Sequence, residues 1–256
     1  MLSYQHAYHA GNRADLHKHA TLAWALAYLT AKEKPLTYLE THAGRGLYDL
    51  SGPEATKTAE AAQGFTLLAS RFAPEHPFSR CQKVAQEAFG AGAYWGSPLI
   101  AAHLLRPTDH LHLAELHPRE HAALRANLHQ PNVRVVQQDG LELALSLCPP
   151  TPRRGLLLID PSYEVKSDYD RLPDLIARVH AKWNVGVIML WYPILTSGAE
   201  RAMVRALQGS FPEALLSEAR FPPARPGHGM VGSGLFVLNA PWGMSDEAAR
   251  NAALLA

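Results

Sequence analysis

Hydrophobic residues along the chain fall into short unbroken runs separated by longer stretches of helical spacing. The runs are 36–40 (LTYLE), 111–115 (LHLAE), 133–137 (VRVVQ), 155–160 (GLLLID), 185–192 (VGVIMLWY), roughly 214–220, and 235–239 (LFVLN). Apolar runs of this length without clean alternation fit strands buried on both faces. Between them, residues 118–128, 169–182 and 199–207 read as amphipathic helices, as does a leading stretch at 14–32. Strand alternating with helix predicts a doubly wound, mostly parallel α/β sheet of about seven strands. One interval breaks the rhythm. From Gly46 to Leu111 the chain is far longer than a plain crossover needs, and it carries helical patterns at 63–72 and 81–89 divided by prolines. It reads as a small helical insertion at 48–108 within a single domain of 1–256. Ser97-Pro98 predicts an N-cap followed by a first-turn proline.

Composition narrows the class. The 256 residues are 47% hydrophobic and 18% charged, enough apolar material for a full core, which excludes a disordered or fibrous chain. The net charge of +1 is not that of a strongly basic nucleic-acid binder, so an RNA partner would need a local surface. Cys81 and Cys148 form neither a disulfide framework nor a C-x-x-C motif. The opening residues are too polar for a signal peptide, and no apolar run reaches the ~18 residues of a membrane span. These features predict a cytoplasmic protein with no membrane partner and no evident obligate protein partner.

The informative residues stand at the ends of the proposed strands. The first strand runs into Glu40-Thr41-His42-Ala43-Gly44-Arg45-Gly46, where glycines let backbone approach a ligand closely; a tight turn has the same signature. Glu115 ends the second strand, where an acid can accept both hydroxyls of a ribose. Asp139-Gly140 ends the third, offering an acid and open backbone to an adenine ring. The fourth ends in Asp160-Pro161-Ser162-Tyr163. A carboxylate closing a buried strand is costly without a partner. Asp160 and the Pro161 carbonyl can accept both hydrogens of an exocyclic amine, and Tyr163 offers a face for a base.

Asp-Pro-Ser-Tyr resembles the Asp-Pro-Pro-Tyr motif of amino-group methyltransferases that use S-adenosylmethionine. The opening Leu2-Ser3-Tyr4-Gln5-His6, then His9-Ala10-Gly11-Asn12, Asp15, Lys18-His19 and Thr41-His42-Ala43-Gly44 are more specific. With Gly96-Ser97-Pro98, Glu115-Leu116-His117-Pro118, Trp191-Tyr192-Pro193 and Gly232-Ser233-Gly234, they resemble the bacterial 23S ribosomal RNA adenine-N6 methyltransferase family over nearly the whole chain. The resemblance implies a Rossmann-like methyltransferase sheet, S-adenosylmethionine as cofactor without a metal, and 23S ribosomal RNA as partner. It implies that His19, His42, Gly44, Ser97, Glu115, Asp139, Gly140 and Asp160 line the cofactor site. Asp160, Pro161 and Tyr163 would be catalytic, and Tyr4, His6 and Lys18 would reach RNA. Three departures stand out: Ser162 replaces a proline, Glu40 replaces an aspartate, and a final helix beyond Trp242 is expected to be short or missing.

Other readings compete. His117-Pro118-Arg119-Glu120-His121 matches the H-x-x-E-H pattern of zinc metallopeptidases, although Pro118 places His117 at a helix entry. A DNA adenine-N6 methyltransferase would carry the same clamp. A non-catalytic RNA-binding module would lack it. His110 and His112 share a strand face and read as partly buried histidines satisfied by hydrogen bonds. His6, His9, His17 and His19 read as a solvated or RNA-facing cluster, and residues 189–192 as sheet core.

Overall fold

The computed structural model describes residues 4–256; Leu2 and Ser3 of the opening motif lie outside them. Helix α1 (Arg13–Thr30) starts where the Asn12 side chain accepts the Asp15 amide. Its alanine and leucine positions are buried almost all round, so it is an interior helix. Strand β1 (Thr37–Glu40) follows, then the short β2 (Leu47–Asp49), helices α2 (Pro53–Thr58), α3 (Glu60–Gln63), α4 (Phe65–Leu68) and α5 (Pro77–Phe89), and β3 (Ala93–Trp95). Helix α6 (Ser97–Leu104) leads to β4 (His110–Ala114), α7 (Pro118–Asn127), β5 (Val133–Val136), α8 (Gly140–Leu147) and β6 (Gly155–Ile159). The chain closes with α9 (Asp168–Lys182), β7 (Val187–Leu195), α10 (Arg201–Ser210), β8 (Leu215–Arg220), β9 (Met230–Leu238) and α11 (Met244–Leu255).

Seven strands form one sheet in the order β5-β4-β1-β6-β7-β9-β8, parallel except for β9, which runs antiparallel to both neighbours. Alternate residues of one strand feed two cores. Leu156 and Leu158 of β6 join α1, α5, α6 and α7 on one face, while Leu157 and Ile159 join α8, α9 and α10 on the other. That double burial explains the unbroken apolar run. Strand order reverses between β1 and β6, and the crevice above their carboxyl ends is where such sheets hold ligands.

Three expectations need correction. The excursion after β1 is stemmed by an antiparallel pair, β2 with β3, and α6 beyond it packs on α1 and β4 as the ordinary crossover helix. The excursion is therefore shorter than 48–108 and not wholly helical. Three-residue strands leave no periodic signal, which is why the pattern missed them. Gly96 rather than Ser97 caps α6, since Ser97 is the first helical residue. A final helix, α11, does follow Trp242; Met244, Ala248 and Leu255 bury it against α1 and β8.

The interior helix also overturns the solvated reading of His17 and His19, while His6 and His9, ahead of it, are partly exposed at the cavity. His17 is fully buried, with Nδ1 3.0 Å from Ser233 Oγ on β9 and Nε2 3.1 Å from Ser217 Oγ on β8. Burial pushes its pKa down to about 4. The unfolded chain, with His near 6.5, takes up a proton before the folded protein does. Stability therefore rises with pH between about 4 and 6.5 and is lost on acidification. In the variant His17→Gln that contribution is absent. The stability advantage of wild type over the variant should shrink by about 3 kcal/mol between pH 7 and pH 4, read by urea unfolding at each pH.

Candidate active site

A cavity of about 500 Å³ opens at the carboxyl ends of β1, β4, β5 and β6. Tyr4, His6, Lys18, His19, His42, Gly44, Ser97, Glu115, Asp139, Gly140, Asp160, Pro161 and Tyr163 all line it. Residues distant in sequence thus meet in one site, though several are held differently from the expectation.

The loop after β1 turns through left-handed backbone at Gly44 and Gly46. A Cβ on Gly44 would stand 2.4 Å from the Tyr48 hydroxyl, so this position takes only glycine. Glu115, just beyond β4, accepts the Gly44 amide at 2.8 Å and the His117 amide at 2.7 Å, one on each carboxylate oxygen. Burial raises its pKa, and the two amides oppose that. One acceptor position remains on each oxygen, in the arrangement a vicinal diol needs. The neighbouring His117 Nδ1 is buried without a partner among the described residues.

Asp139 is primarily the N-cap of α8: its Oδ1 accepts the Leu141 and Glu142 amides at 2.8 and 3.2 Å. Oδ2 keeps its acceptor capacity. Gly140 serves close packing, because a Cβ there would sit 1.8 Å from the Thr41 carbonyl oxygen. Gly140→Ala must push α8 away from the β1 loop, at a cost of about 1–3 kcal/mol. It should lower the melting temperature and weaken ligand binding in the cavity together, measured by calorimetry.

Below the cavity, Glu40 is buried; Tyr38 donates to one of its oxygens at 2.9 Å and the Ser97 hydroxyl to the other. Burial pushes its pKa up to about 8 against those two bonds. Ser97, which lines the cavity, is thereby tied to Glu40 beneath it. His42 and His19 are both lowered by burial, His19 further, with Nδ1 2.7 Å from the Tyr94 hydroxyl.

Lys18 departs most from expectation. It is buried rather than aimed at RNA, with Nζ 2.6 Å from Asp160 Oδ2 and 3.1 Å from Asp15 Oδ1. Burial alone would lower its pKa, but Asp160 and Asp15 raise it above the ordinary lysine value, so it stays an ammonium. It also lies 5.7 Å from the Trp191 ring centroid. Among the described residues, Asp160 Oδ1 and the Pro161 carbonyl accept no hydrogen bond.

Tyr163 occupies left-handed backbone at φ 56, rare for a bulky side chain and a mark of a built turn. Its ring stacks on Tyr169 at 4.6 Å and its hydroxyl donates to the Trp191 carbonyl at 2.7 Å. One face is thus already covered. Trp191, read from sequence as sheet core, is a wall of the cavity, with Nε1 donating to Ser233 at 2.9 Å. Tyr4 lies parallel to His9 at 5.6 Å, and its hydroxyl is 2.9 Å from His6 Nδ1.

The zinc reading fails on geometry. Arg45 holds Glu120 in a two-pronged ion pair at 2.9 and 2.7 Å, which commits that carboxylate. Among the described residues no three His, Cys, Asp or Glu side chains gather as a metal-binding group. His112 is not satisfied as expected, for its buried Nδ1 has no partner among the described residues. Cys81 and Cys148 are free and buried, and burial pushes both thiols up to about 12.

A sheet with this order, a reversed strand at β9, and a carboxylate-lined cavity over the switch point define a Rossmann-like methyltransferase. Over residues 33–256 the chain matches the family described as "Ribosomal RNA large subunit methyltransferase D, RlmJ", and it belongs to that family. It is 36% identical to "Ribosomal RNA large subunit methyltransferase J" of Escherichia coli (strain K12) over 96% of this chain and 90% of that one. Identity is 37%, with the same coverage, to the Haemophilus influenzae protein of the same name. The crystal structure of protein LPL1258 from Legionella pneumophila superposes with a TM-score of 0.86 at 35% identity, covering 96% of this chain and 92% of that one.

Proposed function

We propose that the protein transfers a methyl group from S-adenosylmethionine to N6 of an adenosine in 23S ribosomal RNA. The observation that carries the reading is the end of β6, where, among the described residues, one Asp160 oxygen and the Pro161 carbonyl accept no hydrogen bond at the cavity. When bound, the cofactor supplies an electrophilic methyl group. Glu115 would accept its ribose hydroxyls, Asp139 with Gly140 would meet its adenine, and His19, His42, Gly44 and Ser97 would complete the wall.

The chain's own task is to ready a poor nucleophile. The lone pair of N6 is delocalised into the purine ring. Two acceptors, Asp160 Oδ1 and the Pro161 carbonyl, would take both amine hydrogens, favour a pyramidal nitrogen and so localise its lone pair for attack. As the N–C bond forms, positive charge develops on nitrogen next to Asp160, whose fixed carboxylate stabilises it without reorganisation until one amine proton is lost to solvent. Tyr163, which lines the cavity beside Asp160, would hold the extruded base. The names of the relatives support RNA as the substrate class, and such an enzyme works in the cytoplasm, where ribosomes are built. Among the described residues no helix is long and apolar enough to cross a membrane.

Mass spectrometry of nucleosides from ribosomal RNA, with and without the gene, tests the reading. One N6-methyladenosine should vanish from 23S RNA and return on treatment with purified protein and cofactor. An unchanged nucleoside profile, or methylation of duplex DNA only, would overturn it.

A further inference from the structure

We propose that Asp15 is a positioning residue: it draws the Lys18 ammonium to one oxygen of Asp160, leaves the other oxygen open for the substrate amine, and fixes the opening segment to the same point. This rests on the reading of Asp160 as the amine acceptor. Asp15 is the third residue of α1 and is 2% exposed. Both of its oxygens are used. Oδ1 lies 3.1 Å from Lys18 Nζ and 3.7 Å from His19 Nε2. Oδ2 accepts the Gly11 amide at 2.9 Å and lies 2.8 Å from His6 Nε2. His6 in turn meets Tyr4, so a continuous chain of polar contacts runs from Tyr4 through His6, Asp15 and Lys18 to Asp160.

The charges explain what the chain is for. Two carboxylates, Asp15 and Asp160, share one ammonium. Burial alone would raise the pKa of Asp15, but His6, Lys18 and His19 hold it well below the ordinary carboxylate range. It therefore competes for Lys18 as a full anion. An ammonium beside a single carboxylate is free to sit between its two oxygens, being a compact charge with three donors. Asp15 removes that freedom. Lys18 is held to Oδ2, and among the described residues Oδ1 accepts no hydrogen bond. Because Oδ2 of Asp15 also anchors His6 and Gly11, displacement of the opening segment loosens the hold on Lys18. Whatever fixes that segment then favours the productive form of Asp160, and the coupling is reciprocal.

Asp15→Asn separates this role from a structural one. The variant leaves Lys18 and Asp160 as a one-to-one pair, with no uncompensated buried charge, so the fold should persist. At saturating RNA and cofactor, kcat should fall at least about tenfold while cofactor Kd and RNA KM stay within about twofold. In amide hydrogen exchange, the Gly11 amide and residues 6–12 should exchange about tenfold faster, with the sheet unchanged. An unaltered kcat, or a loss explained by KM or by unfolding, would overturn the assignment. If wild type methylates no RNA, the functional reading falls by itself. The exchange of residues 6–12 still judges Asp15, and unchanged protection there would refute its anchoring role.

Discussion

Asp160→Ala should reduce single-turnover methylation of a 23S RNA fragment by about a hundredfold or more, while leaving a folded protein. The carboxylate stands at the end of β6 in the cavity, and the oxygen not held by Lys18 is the one the amine would use. Loss of one charge-assisted hydrogen bond costs about 1.5–3 kcal/mol, at least tenfold in rate, and loss of orientation adds to it. Asp160→Asn keeps the shape and one oxygen but not the charge, so it should fall between alanine and wild type. The fold should survive both changes because Asp15 still neutralises Lys18 at 3.1 Å. An alanine variant as fast as wild type would place the reacting amine elsewhere.

Lys18→Met should be the most destabilising change at the site, by about 3 kcal/mol, because it strands the buried Asp15 and the partly buried Asp160 without their ammonium. The comparison with the acidic partners is the test. Removing either carboxylate leaves a balanced pair, whereas removing Lys18 leaves two like charges facing each other. Urea unfolding at pH 7 should therefore rank Lys18→Met well below Asp160→Asn in stability. A loss under about 1 kcal/mol at pH 7 would show that the ammonium contributes little to the fold.

The strands were legible because each is buried on both faces, and apolar runs such as Leu156–Ile159 serve no other end. The strand-end residues were legible too, since Glu115, Asp139 and Asp160 interrupt apolar patterns where turns begin. The β2–β3 stem was not, being too short to show a period. Nor was the burial of His17, His19 and Lys18. Their helix is covered on several sides, and polar residues on such a helix look in sequence like a solvated face.

By itself the sequence determined the alternation of strand and helix, the kind of sheet that follows, and the acids and glycines at its carboxyl edge. These depend on local periodicity and on residue chemistry, both of which travel with the chain. Only the tertiary structure decided how those groups are used. It made Asp139 a helix cap, Gly140 a packing necessity, Trp191 a cavity wall and Lys18 the shared counter-ion of Asp15 and Asp160. Such roles depend on which atoms from distant segments come within about 3 Å and on how far water is excluded. Neither quantity is a property of any one segment.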